Sequence, residues 1–224
     1  HCVLCGLPSD PACICTVCMK ALTWAGSRCR QCGLPLAAVD DRLCGGCILR
    51  PPPFTEVVYP LQYLFPADRL VQAFKFQRQH TAGRILARLM CKWISSQPVD
   101  YPDALIPVPL YTLRLFNRSF NQSYELAAYI GRVLGIPLQA TSLRRRRNTR
   151  AQSGLDRRQR RHNVRGAFSW RGQQPPPRHV ALVDDVMTTG TTVIECARIL
   201  KKAGAKRVDV WVAARAIPLV QYAG

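Results

Sequence analysis

Apolar residues return at two different spacings along this chain. Over Asp68–Gln79 and Gly83–Ile94 they recur every third or fourth position, which predicts two amphipathic helices. The same spacing predicts helices over Ser123–Leu134 and Thr192–Ala203. Each is followed by a glycine, Gly135 and Gly204, where a chain commonly leaves a helix. Elsewhere the apolar residues run together. Glu56–Leu64, Ala104–Pro109, Val180–Asp184 and Val208–Ala214 predict short strands covered on both faces, Val164–Trp170 adds another, and Gln173–Pro177 predicts a surface loop. Strands alternating with helices predict an α/β fold, a mainly parallel sheet with flanking helices.

The first fifty residues follow neither spacing. They are rich in cysteine and glycine and end at Pro51-Pro52-Pro53, which can continue neither a helix nor a central strand. That boundary divides the chain into a small module, 1–50, and a domain, 51–224. Of eleven cysteines, eight fall in four Cys-x-x-Cys pairs: Cys2/Cys5, Cys15/Cys18, Cys29/Cys32 and Cys44/Cys47. Such a turn aims two thiolates at one tetrahedral ion, so four pairs predict two closed, structural Cys₄ zinc sites. Pairing first with second and third with fourth makes a double zinc ribbon. The spacing leaves an interleaved pairing open, and Cys13 could stand in for Cys15. Cys91 and Cys196 sit in predicted helices as ordinary buried thiols. A module this small has little core, so metal supplies most of its folding energy. Chelation is then expected to unfold 1–50 and leave the domain folded. No run of about 18 uncharged apolar residues and no signal segment is present, so a cytoplasmic protein is expected.

Charge adds a partner class. Thirty-two Lys and Arg against thirteen Asp and Glu give a formal net charge of +19. Eight thiolates around two divalent ions would lower this to about +15, still a strong attraction for polyanions. The excess concentrates between Leu143 and Arg165, which hold ten arginines and one acid, Asp156. Arg144, Arg145, Arg146, Arg147, Arg150, Arg157, Arg158 and Arg161 are candidates for phosphate contact, arginine being suited to bidentate binding. The segment is more basic than closure over one small ligand requires. A nucleic-acid backbone would use the remainder through counterion release.

The chemistry is densest over Val180–Thr192. An apolar strand delivers two adjacent carboxylates, Asp184 and Asp185. The loop Thr188-Thr189-Gly190-Thr191-Thr192 then opens a helix. Ligands of open α/β sheets bind at the carboxyl ends of strands, and a helix N-terminus presents unpaired N–H groups and partial positive charge to a phosphate. Vicinal sugar hydroxyls suit the carboxylates, and the loop suits a 5-phosphate. A second segment, Ile106-Pro-Val-Pro109 leading to Arg118, Asn121 and Gln122, offers further polar groups. Lys75 reads equally as a phosphate contact and as a solvated helix lysine.

Val180–Thr192 resembles the signature of type I phosphoribosyltransferases that binds phosphoribosyl pyrophosphate (PRPP). The resemblance implies that Asp184 and Asp185 hold the ribose hydroxyls and that Thr188–Thr192 hold the 5-phosphate. Arg118, Asn121, Gln122 and Lys75 would meet the pyrophosphate with Mg²⁺, and the arginine-rich segment would close over it. From Cys2 to about Arg215 the chain resembles the ComF/GntX family, through its cysteine pairs, Pro-Val-Pro with Phe-Asn-Gln-Ser, the arginine-rich stretch and Val-Asp-Asp-Val-Met-Thr-Thr-Gly. Ser119 departs from the glycine usual in that family. The family implies PRPP binding with a role in DNA uptake, natural competence or DNA utilisation. Single-stranded DNA and a competence helicase or processing protein would be its partners. The alternative is an active phosphoribosyltransferase of nucleotide salvage with no direct DNA role.

Overall fold

In the computed structural model, residues 1–9, 13–36, 43–111, 120–147 and 163–217 are described. Five parallel strands form the main sheet: β1 (Val57–Val58), β2 (Leu61–Gln62), β3 (Ala104–Pro107), β6 (His179–Met187) and β7 (Arg207–Arg215). Their order is β1–β7–β6–β3, with β2 also paired to β7. Register runs Val57 to Val210, Leu182 to Val210 and Ile106 to Leu182 across the sheet. The single strand expected over Glu56–Leu64 is two short ones, because Pro60 cannot donate to the ladder. Its carbonyl instead accepts a hydrogen bond from Ala25 N–H at 2.8 Å.

Alternation along β7 divides the core. Trp211 and Ala213 face one layer, and Val208, Val210 and Val212 face the other. The first layer is built by α3 (Ala67–Phe76), α4 (His80–Ser95) and α5 (Gln122–Leu134). Between α3 and α4 the fit is close: a Cβ on Gly83 would lie 2.4 Å from the Phe74 ring, so α4 begins before Gly83 and carries it inside. The second layer is α6 (Thr191–Ala203) with an antiparallel ribbon of β4 (Leu143–Arg145) and β5 (Phe168–Trp170). The arginine-rich segment therefore starts as a strand. The strand expected from Val164 starts only at Phe168, after Gly166 turns the chain at φ +66°.

Two short helices, α1 (Thr16–Lys20) and α2 (Gly45–Leu49), carry cysteines of the N-terminal module. Its first half rests on α4, with Ile14 and Leu22 buried and Trp24 stacked 6.0 Å from Trp93. Its second half is tied to the sheet by hydrogen bonds. Tyr59 O–H donates to Gly33 O at 2.7 Å, and Gln31 Nε2 donates to Phe54 O at 3.2 Å. Arg30 pairs with buried Glu56 at 3.1 Å, and Glu56 also pairs with Arg207. No helix among the described residues is long and apolar enough to cross a membrane.

Candidate functional site

At the carboxyl ends of β3 and β6 lies a cleft of about 410 Å³. Asp184 and Asp185 reach it from β6. The Asp184 carboxylate accepts from Ser123 Oγ at 2.8 Å and from Asp185 N–H at 2.9 Å. Although part of its surface meets the cleft, protein atoms crowd it on all sides. That burial, reinforced by the neighbouring Asp185 charge, raises it to about 7. Lys75 and Ser123 oppose the rise without cancelling it. Asp185 is buried. It accepts from Val186 N–H at 2.7 Å and forms an ion pair with Lys75 Nζ at 3.0 Å. Lys75 is thus neither a solvated lysine nor placed only for an outside anion: it counters one of the two carboxylates.

The threonine loop closes the same cleft, lined by Thr188, Gly190, Thr191 and Thr192. Gly190, at φ +75°, occupies the N-cap of α6, and no side chain caps the helix there. The left-handed backbone is what favours glycine here; a Cβ would also meet Met187 Cε at 2.7 Å, the end of a flexible side chain that can move aside. Thr189 and Thr191 hydroxyls are 2.7 Å apart. The uncapped end of a 13-residue helix faces the cleft with its first-turn N–H groups and dipole.

The remaining candidates divide. Gln122 lines the cleft while its amide donates to Lys75 O at 3.3 Å. Asn121 caps α5, accepting from Ser123 N–H at 3.0 Å and donating to Val108 O at 3.2 Å. Arg145 lines the cleft and lies 5.4 Å from the Phe168 ring centre, whereas Arg144, Arg146 and Arg147 are exposed. Arg118, Ser119, Arg150, Arg157, Arg158 and Arg161 lie outside the described residues. Sequence reasoning missed Ser123 as a partner of Asp184, and also Arg215. The latter is buried at the end of β7 and donates to Met187 O at 2.9 Å and to Thr188 O, beneath the loop. Ser123 carries one signal, its place directly after two candidate residues.

The cysteine pairs assemble sequentially. Cys2, Cys5, Cys15 and Cys18 form one group, and Cys29, Cys32, Cys44 and Cys47 the other, with all sulfurs of a group within 4.8 Å of one another. Cys13 joins neither; its carbonyl accepts from Val3 N–H at 2.9 Å. Thiols this close compete for one negative charge. Burial raises Cys2, but the backbone donors around it outweigh that and bring it down to about 6. Cys18 is pushed up to about 12 by burial and its sulfur neighbours. A divalent cation removes the conflict, and Cys18 N–H to Cys15 Sγ at 3.4 Å and Cys44 N–H to Cys29 Sγ at 3.3 Å are donors suited to held thiolates. Both groups can hold a tetrahedral metal ion.

A parallel sheet ending in paired acids and a threonine loop at a helix N-terminus defines a phosphoribosyltransferase-type domain, and residues 121–217 match the phosphoribosyl transferase domain family. Competence protein F of Haemophilus influenzae is 36% identical over 209 residues, covering 91% of this chain and 90% of that one. DNA utilization protein YhgH of Salmonella typhimurium is 37% identical over 209 residues, 91% of each. The chain belongs to the family of these two proteins, as its motifs implied. A solved glutamine PRPP amidotransferase from B. subtilis is 25% identical over 60% of this chain and 26% of that one, with a TM-score of 0.40.

Proposed function

We propose that this protein binds PRPP with Mg²⁺ in the β3–β6 cleft and acts in the handling of DNA during its uptake or utilisation. One observation carries the PRPP reading: Asp184 and Asp185 share a cleft with an uncapped, threonine-rich helix N-terminus. In this reading the acids accept hydrogen bonds from the ribose hydroxyls. The N–H groups and hydroxyls of Thr188–Thr192 hold the 5-phosphate. Lys75 and Arg145 supply positive charge toward the pyrophosphate, and Mg²⁺ travels with the ligand to neutralise it. Transfer to an acceptor would need mainly positioning and charge stabilisation from this chain. Calorimetry is expected to register PRPP–Mg²⁺ binding that disappears in an Asp184→Ala, Asp185→Ala double variant. Unchanged affinity would reject the site. Pyrophosphate release from PRPP, assayed across free bases and single-stranded DNA, separates a transferase from a binding protein.

The DNA role is supported by the names of the two relatives and by the exposed Arg144, Arg146 and Arg147 beside the cleft. Single-stranded DNA is the proposed polyanion and a competence helicase the proposed protein partner. We assign zinc to both Cys₄ groups, in keeping with four thiolates per ion and with a cytoplasmic, reducing setting.

A further inference from the structure

We propose that Arg215 is a positioning residue through which the second Cys₄ metal centre holds the threonine loop in its ligand-binding shape. Only 4% of Arg215 is exposed, and a buried guanidinium needs partners. Among the described residues it has no carboxylate partner, and its hydrogen bonds all go to backbone carbonyls. On one side Nε donates to Cys32 O at 3.0 Å. On the other, Nη1 donates to Met187 O at 2.9 Å, to Thr188 O, and to Ala216 O at 2.6 Å. Cys32 is a member of the second cysteine group. Met187 ends β6, and Thr188 begins the loop. One rigid, planar side chain therefore spans the gap between the metal knuckle and the loop.

The charges agree with this geometry. Four thiolates around a divalent ion carry a net charge of about −2, and a buried cation beside them is stabilised where no carboxylate is available. Removing the metal takes away both the fixed position of the Cys32 carbonyl and that negative field. Arg215 then loses its anchor on one side, and the Thr188 carbonyl loses the donor beneath it, while the Met187 carbonyl keeps Ala216 N–H at 2.9 Å. The loop's N–H groups can face a phosphate only while the Thr188 carbonyl faces the other way, so the centre acts on binding from a distance. Arg215 also fixes the cleft's far edge, because its own carbonyl accepts from Tyr63 N–H at 2.8 Å and Tyr63 lines the cleft. Among the described residues no side chain joins the first Cys₄ group to the threonine loop; the segment after it meets β2, where Gln62 N–H donates to Thr23 O at 2.8 Å, and α4 through Trp24 and Trp93. Two similar centres thus have different reach. The second is coupled to the cleft and the first is not.

This inference rests on reading the threonine loop as a phosphate site, and the test separates the two. The full chain is prepared with the second group disabled (Cys44→Ser with Cys47→Ser), with the first disabled (Cys5→Ser with Cys18→Ser), and as Arg215→Gln. Metal content is counted by mass spectrometry. Affinity for ribose 5-phosphate is measured by calorimetry, and backbone amide exchange is followed over 188–193. Disabling the second group is expected to lower affinity at least tenfold and to speed exchange of the loop, while disabling the first changes affinity less than twofold. Arg215→Gln should keep about two metal ions per chain and show the same loss. Combined with Cys44→Ser and Cys47→Ser it should add nothing further, the non-additivity expected of residues in one chain of contacts. Unchanged loop exchange after loss of the second metal overturns the coupling, as does an equal loss from the first group. Faster exchange with unaltered ribose 5-phosphate affinity upholds the coupling and overturns the phosphate role of the loop. If Arg215→Gln does not fold, the comparison between the two metal centres still decides.

Discussion

Asp184 works against the fold to serve the cleft. Its native value of about 7 lies above the ~3.9 of an unfolded aspartate. The sign follows from linkage: a native acid that holds its proton more tightly costs stability as pH rises through the interval between the two values, and the cost is complete above the higher one. Asp184→Asn removes that cost. Denaturant titrations should show little gain at pH 4, a gain that grows toward pH 7, and a plateau on the order of 4 kcal/mol above it. Ligand affinity should move oppositely. Only the ionised carboxylate accepts through both oxygens and with full negative charge, so PRPP binding to the natural protein should weaken as pH falls below 7. The Asn variant should bind poorly at every pH. A stability difference independent of pH would show that Asp184 ionises as an ordinary surface acid. This is the usual relation of a binding group to its scaffold, in which unfavourable burial is retained because a ligand relieves it.

At the scale of elements, the turn between β6 and α6 sets the geometry that those acids need. Gly190 holds φ +75°, which an L side chain adopts at a cost of about 1–2 kcal/mol. Gly190→Ala should lower Tm by roughly 3–6 °C for a domain of this size and weaken ribose 5-phosphate binding more than tenfold. Gly26→Ala is the control, because its backbone is not left-handed and nothing lies within 4 Å of the added Cβ; Tm should hold there. Equal shifts in both would remove any special role for the turn. The position was legible in sequence because strand, acids, glycine and helix are contiguous, so local rules suffice. The same holds for the helices and for the cysteine turns. What was not legible joins distant residues. Lys75 meets Asp185 across 110 positions and Arg215 meets Cys32 across 183, and neither has a local pattern to betray it. Arg215 ends an apolar strand, and spacing alone gives no hint of two loops waiting for its donors. The break of the first strand at Pro60 was readable in principle; the apolar run hid it.

Across the whole molecule, positive charge is the property that no single site explains. A phosphosugar needs a few cations, and this chain has an excess of nineteen. If that excess serves DNA, affinity must depend on salt in a definite way. Each phosphate neutralised on a single strand contributes about −0.7 to the slope of log affinity against log salt concentration. Engagement of about five phosphates gives a slope near −3.5, so a fourfold rise in salt should weaken binding about 100-fold. Arg144 on β4 and Arg146 just after it are exposed and outside the cleft lining, so replacing both by glutamine should reduce the slope by about 1.4 and leave PRPP affinity intact. Arg145 points the other way, into the cleft, and its replacement should lower PRPP affinity while leaving the slope unchanged, where one lost phosphate contact would reduce it by about 0.7. Alternation along β4 and the residue after it would then sort neighbouring arginines between two ligands, one small and one polymeric. Fluorescence anisotropy with a labelled oligonucleotide reads the slope directly. A slope near zero would detach the basic surface from nucleic acid, leaving the excess charge to act on PRPP or on an acidic protein.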